Sequence, residues 1–329
     1  MSQFRRLLGG LLLLSMPATA SAVIVPGVQQ RNTAAPSGTL ANAGWQWQGR
    51  FGGFLGTPIG PKHFLTAKHI GHGVGTPLIY KDSSGATVSY PTVAQFLDPN
   101  SDLRILEISG TFDSWAPMWD AAVDGSEVGR SLFVAGRGTA RGDEVFGPSS
   151  NAGPQHGRKP SELKGWLWGA DDRVQSWGTN TVDGIVNGGT SLGELLYFDF
   201  DRNASDDEAM LSAGDSSGGV FIQNSSGQWK LAGVNYGAEF QFARTDGGPT
   251  FNAALFDIGG LYYAATNPDL YFPEQGYDQP AGSYSTRVSG RLSWINGVLN
   301  GSAKPQAVVP EPSSLGLLAM STLLLRRRR

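Results

Sequence analysis

The chain contains 329 residues with a formal net charge of −3, and only 16% of the residues are charged. This length suits two domains or one large all-β domain, and the 46 glycines favour short strands with tight turns over a helical bundle. Without a basic stripe, the chain offers no electrostatic support for binding nucleic acid. It has no cysteine, which excludes disulfides, zinc–thiolate sites and a cysteine nucleophile.

Residues 1–22 have the pattern of a secretory signal peptide. Arg5 and Arg6 precede an apolar run over residues 7–16, and "ASA" at residues 20–22 forms an A-x-A cleavage site before Val23. We therefore expect signal peptidase to release an exported protein that begins at Val23.

Residues 38–300 consist of short apolar runs separated by Gly, Pro, Asn and Asp, a sequence pattern typical of a β-barrel or a β-sandwich. The pattern predicts strands at residues 51–55, 64–67, 103–108, 131–135, 219–223 and 229–235. It predicts loops at residues 146–160 and 266–285. Steps of four, three and four predict a terminal amphipathic helix through Val288, Leu292, Ile295 and Leu299.

The segment 199–208, "DFDRNASDDE", is strongly acidic. Its spacing faintly resembles a calcium-binding EF-hand loop, but Asp206 stands where the sharp turn needs glycine, and no glutamate occupies the twelfth position. The composition favours a solvated acidic loop, and a calcium site there stays open.

A serine nucleophile needs a base within hydrogen-bond reach, a group that orients the base, and backbone donors for the oxyanion. Three stretches supply candidates for these parts. His69 ends the strand-like run in "FLTAKHI", Asp102 begins the alternating run "DLRILEIS", and Ser216 lies in the glycine-rich stretch "SAGDSSGGVF".

These stretches resemble the histidine, aspartate and serine motifs of trypsin-like serine peptidases: T-A-A-H-C, D-I-x-L-L-x-L and G-D-S-G-G-P. Lys68 and Ile70 replace two residues of the first motif. The chain order His, Asp, Ser also agrees with that family. "SLFVAGRGT", "WKLAGVNYG" and "YSTRVSGRLSWI" resemble further family segments in the same order.

The resemblance implies an all-β fold of two six-stranded antiparallel β-barrels, chymotrypsin-like, with a C-terminal helix. The first barrel would span residues 23–124 and carry His69 and Asp102. The second would span residues 125–300 and carry Ser216.

The resemblance also implies roles. Ser216 would attack, His69 would act as general base and then acid, and Asp102 would orient the imidazole. The backbone N–H groups of Gly214 and Ser216 would form the oxyanion hole. Ser217, where the family usually has glycine, is expected to be a spectator, and no metal or other cofactor is implied.

The resemblance places Met210, six positions before the nucleophile, at the floor of the primary specificity pocket. Asn235, Tyr236 and Gly237 would form one wall. A methionine floor argues for apolar or small substrate side chains. The stretch 238–282 is longer than the usual family connection, so we expect it to reshape the cleft.

In that family the aspartate before the nucleophile pairs with a free N-terminal amine. Cleavage before Val23 would give an amine that could pair with Asp215 without a separate zymogen step. Arg137 or Arg130 is the alternative partner for this carboxylate.

Other interpretations of the candidate residues remain. His63, His69 and His72 could form a zinc cluster, although their spacing fits no strong metal pattern. His156 lies in a predicted loop and is expected to have no chemical role. Asp98 is the alternative orienting acid, but Pro99 after it predicts a turn.

The last segment, 301–329, contains "VPEP", then uncharged residues 313–325, then four arginines. The apolar run is shorter than the ~20 residues of a membrane-spanning helix. The three parts in this order resemble the PEP-CTERM sorting signal of Gram-negative bacteria, which an exosortase removes. The resemblance implies a periplasmic, cell-surface or extracellular-matrix protein that meets the membrane only transiently through its terminal signals.

We therefore predict a secreted or surface serine endopeptidase that hydrolyses polypeptides through an acyl-enzyme. One alternative is a catalytically inert surface or matrix protein that keeps the fold for binding. Another is an esterase that uses the same site, because the acyl-transfer chemistry is shared.

Overall fold

The computed structural model describes residues 22–27, 32–147, 162–265 and 268–306. The predicted sorting tail, nearly all of the predicted signal peptide, His156 and most of the predicted loop 146–160 lie outside these ranges. Within them, every helix is too short to cross a bilayer.

The described residues are mostly β-strand. The strands before residue 125 are β1 (Gly49–Phe51), β2 (Phe54–Gly60), β3 (His63–Ala67), β4 (Leu78–Lys81), β5 (Thr87–Tyr90), β6 (Thr92–Leu97) and β7 (Leu103–Ile108). The later strands are β8 (Ser131–Gly136), β9 (Thr139–Phe146), β10 (Leu163–Asp171), β11 (Ser176–Thr181), β12 (Gly184–Asn187), β13 (Glu194–Asp199), β14 (Gly219–Gln223), β15 (Trp229–Ala238), β16 (Gln241–Ala243), β17 (Thr250–Leu255), β18 (Tyr262–Tyr263), β19 (Leu270–Tyr271) and β20 (Gly282–Arg287). The α-helices are α1 (Ala121–Asp124), α2 (Gly189–Leu192) and α3 (Leu292–Leu299).

The first antiparallel sheet has the order β5-β4-β1-β2-β3-β7-β6. Its edge strands β5 and β6 are two halves of one strand that Pro91 interrupts, because proline cannot donate to the ladder. One half pairs with β4 and the other with β7. This shared strand closes the sheet into a barrel of six strands.

A second antiparallel sheet, with the order β11-β8-β14-β15-β20-β13-β12, closes in the same way. Val182 and Asp183 interrupt one strand whose halves are β11, paired with β8, and β12, paired with β13. Numbered along the chain, the six strands of both barrels have the neighbour order 1-2-3-6-5-4. The predicted all-β fold of two six-stranded barrels with a C-terminal helix is confirmed.

A third sheet, with the order β19-β18-β16-β17-β10-β9, was not predicted. The connection after β8 supplies β9 and β10, and the long stretch 238–282 supplies β16 to β19. The predicted loop 266–285 is therefore wrong in part, since it contains β19 and the start of β20. The pattern hid β20 because its buried positions include Ser283 and Ser285 rather than apolar residues.

The predicted strand 51–55 is in fact two strands that form a hairpin. Gly52 adopts φ +58°, a left-handed conformation that favours glycine, and Arg50 pairs with Leu55 across the turn. The predicted terminal helix is present as α3, which buries Ile295 and Val298. It packs on a hydrophobic core cluster that contains residues of both barrels, including Phe64 and Phe221.

Candidate active site

His69 and Asp102 are brought together by two paired strands. Ala67, at the end of β3, lies opposite Leu103, at the start of β7. His69 follows the first strand by two residues and Asp102 immediately precedes the second, so both project beyond the same end of the sheet. The N–H of Lys68 also donates to the carbonyl of Asp102 at 2.6 Å.

Three side chains then form one hydrogen-bonded chain. His69 Nδ1 lies 2.5 Å from Asp102 Oδ2, and the backbone N–H of His69 donates to Asp102 Oδ1 at 3.0 Å. His69 Nε2 lies 2.8 Å from Ser216 Oγ. Since the buried carboxylate can only accept when it is ionised, it favours the imidazole tautomer with the proton on Nδ1. That tautomer leaves Nε2 free to accept the Ser216 proton.

The loop that carries Ser216 begins with a tight turn at Gly214. This glycine has φ +95°, and a Cβ there would lie 3.0 Å from the Cα of Gly138. Within the described ranges, no protein oxygen accepts a hydrogen bond from the N–H of Gly214 or of Ser216. Both predicted oxyanion donors are therefore available beside the nucleophile.

Asp215 lies fully buried beneath this loop. Its carboxylate accepts hydrogen bonds from the N–H of Gly138 at 2.8 Å and from the N–H and Oγ of Ser212 at 2.7 and 2.9 Å. The backbone N–H of Val23 donates to it as well, but burial raises the pKa of Asp215 to about 6. The carboxylate is thus the buried anchor of the nucleophile loop, with Val23 already at its side.

The segment around Val23 is docked into the second barrel. Ile24 exchanges two backbone hydrogen bonds with Met210, of 2.9 and 3.0 Å. Arg141 Nη1 donates to the carbonyls of residues 25–27 at 2.6 to 2.8 Å. Val23 has φ +54°, which strains a β-branched residue.

The two arginines considered as alternative partners of Asp215 contact other groups. Arg130 donates to the carbonyls of Ser126 and Asp124 and lies over the ring of Trp119. Arg137 reaches the carbonyl of Gly52 at 3.5 Å.

The predicted specificity residues differ in accessibility. Met210 has no exposed surface and packs in a core cluster with Ile24 and Phe200, so a substrate reaches it only if neighbouring side chains move. The Asn235 amide is also buried, where it donates to the carbonyls of Ala135 and Asp215 at 2.9 and 3.0 Å. This leaves Tyr236 and Gly237 as the accessible part of the predicted wall.

Tyr236 lies directly beside the base. Its ring is T-shaped to the imidazole of His69, with the ring centroids 5.5 Å apart. The strand β15 therefore borders the site on the side of His69.

That Ser217 is a spectator in the chemistry stays a prediction, but the residue has a structural role that was not predicted. Its hydroxyl accepts a hydrogen bond from the N–H of Ala67 at 2.7 Å and also bonds the hydroxyl of Thr66. Sequence reasoning missed this link because it joins residues 150 positions apart. The only local signal was a serine where the family motif has glycine.

Asp98 does not orient the imidazole. Arg291 donates to both of its oxygens at 2.6 Å, and Ser101 Oγ donates to Oδ2 at 2.6 Å. These hydrogen bonds hold the pKa of Asp98 below its ordinary value although burial opposes them. Lys68 Nζ donates to the carbonyls of Asp98 and Ser101 at 3.0 and 2.6 Å, so this network fixes the turn that presents Asp102.

The alternative metal sites find no support. No group of three or more His, Asp or Glu side chains that could hold a metal occurs in the described part of the chain. His63 instead lies against Phe96, and burial lowers its pKa.

In the acidic loop, burial and neighbouring aspartates raise the pKa of Glu208 to about 8 and of Asp199 to about 7.

Comparisons with known proteins found no matching family model and no matching curated protein. Among solved structures, the chain is similar to neuropsin, a serine protease expressed in the limbic system of mouse brain. That match has a TM-score of 0.45 and 12% identity, and it covers 78% of this chain and 96% of neuropsin. The chain is also similar to an inactivated protease paralogue of the scabies mite, with a TM-score of 0.43 and 14% identity over 77% of this chain and 89% of the paralogue.

Proposed function

We propose that the chain is a serine endopeptidase that cleaves polypeptides through an acyl-enzyme. The observation that carries this proposal is the continuous chain from Asp102 through His69 to the Ser216 hydroxyl, with Nε2 and Oγ 2.8 Å apart. That is the geometry in which a neutral imidazole accepts the proton of an attacking hydroxyl.

The reaction follows from these positions. Ser216 Oγ attacks the peptide carbonyl while His69 Nε2 takes its proton, and Asp102 stabilises the imidazolium. The N–H groups of Gly214 and Ser216 stabilise the oxyanion, a contribution of about 3 kcal/mol for each donor. His69 then gives the proton to the departing amine. In the second half of the reaction, water attacks the Ser216 ester while His69 Nε2 takes its proton, and His69 returns that proton to Ser216 Oγ as the carboxylic acid product leaves.

Labelling with a fluorophosphonate probe tests the proposal without knowledge of the substrate. The mature protein should gain one probe adduct on Ser216, and Ser216→Ala should gain none. Ser225→Ala is the control, because this serine is exposed in the turn between β14 and β15. An unlabelled wild-type protein, or labelling that survives Ser216→Ala, would reject the catalytic assignment.

The terminal segments support a further part of the proposal, that the enzyme is exported and later released from the membrane by an exosortase. The support is the sequence of residues 1–22 and 301–329 alone. Mass spectrometry of the protein from its native cells should give a chain that begins at Val23 and lacks the final arginines. A chain with both ends intact in the cytoplasm would contradict export.

A further inference from the structure

Three arginines lie together beside the nucleophile loop. Arg50 belongs to β1, Arg137 follows β8, and Arg173 follows β10. Arg173 Nη1 donates to the carbonyl of Gly53 at 3.3 Å and lies 3.7 Å from the position that a Cβ of Gly214 would occupy. The cluster thus borders the residue that supplies one predicted oxyanion donor.

This cluster carries excess positive charge. Burial, followed by the charges of Arg50 and Arg173, lowers the pKa of Arg137, while the charges of Asp172 and Asp171 oppose this shift, so the cluster sets three arginines against two aspartates. Arg173 pairs with Asp171, with Nε and Oδ1 2.5 Å apart. Within the described ranges, neither Arg50 nor Arg137 has an ion pair. With three arginines against two aspartates, the cluster keeps a net positive charge that can attract an anionic group.

Arg173 is held in a fixed pose. It adopts φ +55°, an uncommon conformation for a residue other than glycine, and such strain is often retained at ligand sites. Its guanidinium lies over the ring of Phe54, 5.3 Å from the ring centroid, and its Nη2 donates to Asp171 Oδ2 at 2.7 Å. The charge is therefore preorganised rather than free to swing into solvent.

The nucleophile loop separates the cluster from the predicted specificity wall. At one end of the loop, Ser217 and Gly218 exchange backbone hydrogen bonds with Asn235 on β15. At the other end, a Cβ on Gly214 would lie 3.2 Å from the carbonyl oxygen of Arg137. An extended peptide with its reacting carbonyl at Ser216 therefore has one arm along β15 and the other arm over the arginines.

The sequence resemblance predicts that Tyr236 and Gly237 form a wall of the primary pocket, which takes the side chain on the acyl side of the scissile bond. In that orientation the departing amine and the residues after it meet the cluster. We propose that Arg50, Arg137 and Arg173 select peptides with an acidic side chain in the first two positions after the scissile bond. The inference rests on the proposed peptidase function. Its physical basis is the attraction between a substrate carboxylate and cations whose field is not fully neutralised.

Cleavage of matched internally quenched peptides tests this selection. Peptides that differ only by Glu, Gln or Lys after the scissile bond should give the largest kcat/KM for Glu, about tenfold above Gln at low salt. The preference should shrink in high salt. The preference for Glu over Gln should fall to about twofold in the double variant Arg137→Gln/Arg173→Gln. It should persist in Arg244→Gln, which changes an exposed arginine in the connection between β16 and β17.

Fluorophosphonate labelling separates the two levels of the proposal, because the probe has no peptide arm after its reactive centre. If Ser216 is labelled but Glu, Gln and Lys peptides are cleaved equally, the acidic selection is wrong and the peptidase function stands. If Ser216 is neither labelled nor able to cleave any peptide, both proposals fail. The comparison among substrates uses the wild-type protein, so it remains decisive even if the arginine variants do not fold.

Discussion

Ser217 Oγ accepts a hydrogen bond from the backbone N–H of Ala67 at 2.7 Å, and this bond joins the two barrels at the active site. Ala67 ends the strand that leads to His69, whereas Ser217 follows the nucleophile. The base and the nucleophile come from different barrels, so their separation depends on contacts of this kind. Ser217 is fully buried and adopts φ +75°, a strained conformation for serine.

Replacement of Ser217 should lower the free energy of unfolding by more than the loss of one small side chain would. Ser217→Ala leaves the N–H of Ala67 without its buried acceptor, so we expect a loss of about 1 to 3 kcal/mol in the free energy of unfolding. Ser217→Gly loses the same bond but relieves the positive φ, so it should be about 1 kcal/mol less destabilised. Urea unfolding in a Ser216→Ala background, which prevents autolysis, measures both. Exposed Ser225→Ala is the control, and equal stability of Ser217→Ala and its parent would contradict the link.

The N-terminal residue should control how stability depends on pH. While Val23 is linked to Ala22, burial raises the pKa of Asp215 to about 6, above its value in the unfolded chain. The stability associated with protonated Asp215 is then present at pH below about 4 and lost as pH rises through 6, a change of about 3 kcal/mol. A free amine on Val23 would favour the carboxylate and remove this loss.

Unfolding measured from pH 4 to pH 7 tests that prediction. We would compare the chain that begins at Val23 with one extended by Ala22, both as Ser216→Ala. Asp215→Asn in the extended chain should abolish the Asp215-dependent change. The same pH dependence in both chains would show that the Val23 amine does not pair with Asp215.

The pair between Asp98 and Arg291 should position Asp102 without taking part in the chemistry. Arg291→Gln removes both hydrogen bonds to a buried carboxylate, so we expect about 3 kcal/mol of destabilisation. The turn that presents Asp102 would shift, and kcat should fall about tenfold with little change in KM. Adding Asp98→Asn should restore most of the stability, since the unpaired charge is gone.

Arg202→Gln is the control for that variant, because Arg202 also donates two hydrogen bonds to one carboxylate, that of Asp278. Arg202 Nη1 further donates to the carbonyl of Leu163 on β10 and lies 3.7 Å from Glu162 Oε1, so it does not support the turn at Asp102. Peptide cleavage and urea unfolding would be measured on the same preparations. If Arg291→Gln shows the expected destabilisation but no change in kcat, the pair does not position Asp102 and has only a structural role.

Asp102→Asn should preserve binding and abolish most of the turnover. An amide that donates toward Nδ1 favours the wrong imidazole tautomer, so kcat should fall about 10⁴-fold while KM changes little. Steady-state cleavage of one peptide measures both constants. A loss smaller than about tenfold would mean that another group orients His69.

The motifs around His69, Asp102 and Ser216 were readable from sequence because each is local and flanked by a recognisable strand or turn. The barrel strands were readable where buried apolar residues alternate or cluster, as in β7 and β14. The third sheet could not be predicted from sequence, because its strand pairs join distant segments, such as Gly165 with Leu255, and several of its strands are very short. The hydrogen bond between Ser217 and Ala67 and the arginine cluster around Arg137 were not predicted for the same reason, because both are assembled only by folding.

The most direct test of the account is cleavage of a peptide library by the mature protein, with the products identified by mass spectrometry. We expect new N-termini from internal peptide bonds with the wild-type protein and none with Ser216→Ala purified in parallel. The exposed variant Ser225→Ala should still produce the same cleavage sites as the wild-type protein. Absence of cleavage by the folded wild-type protein, or equal cleavage by Ser216→Ala, would contradict the assignment of Ser216 as the nucleophile of a peptidase.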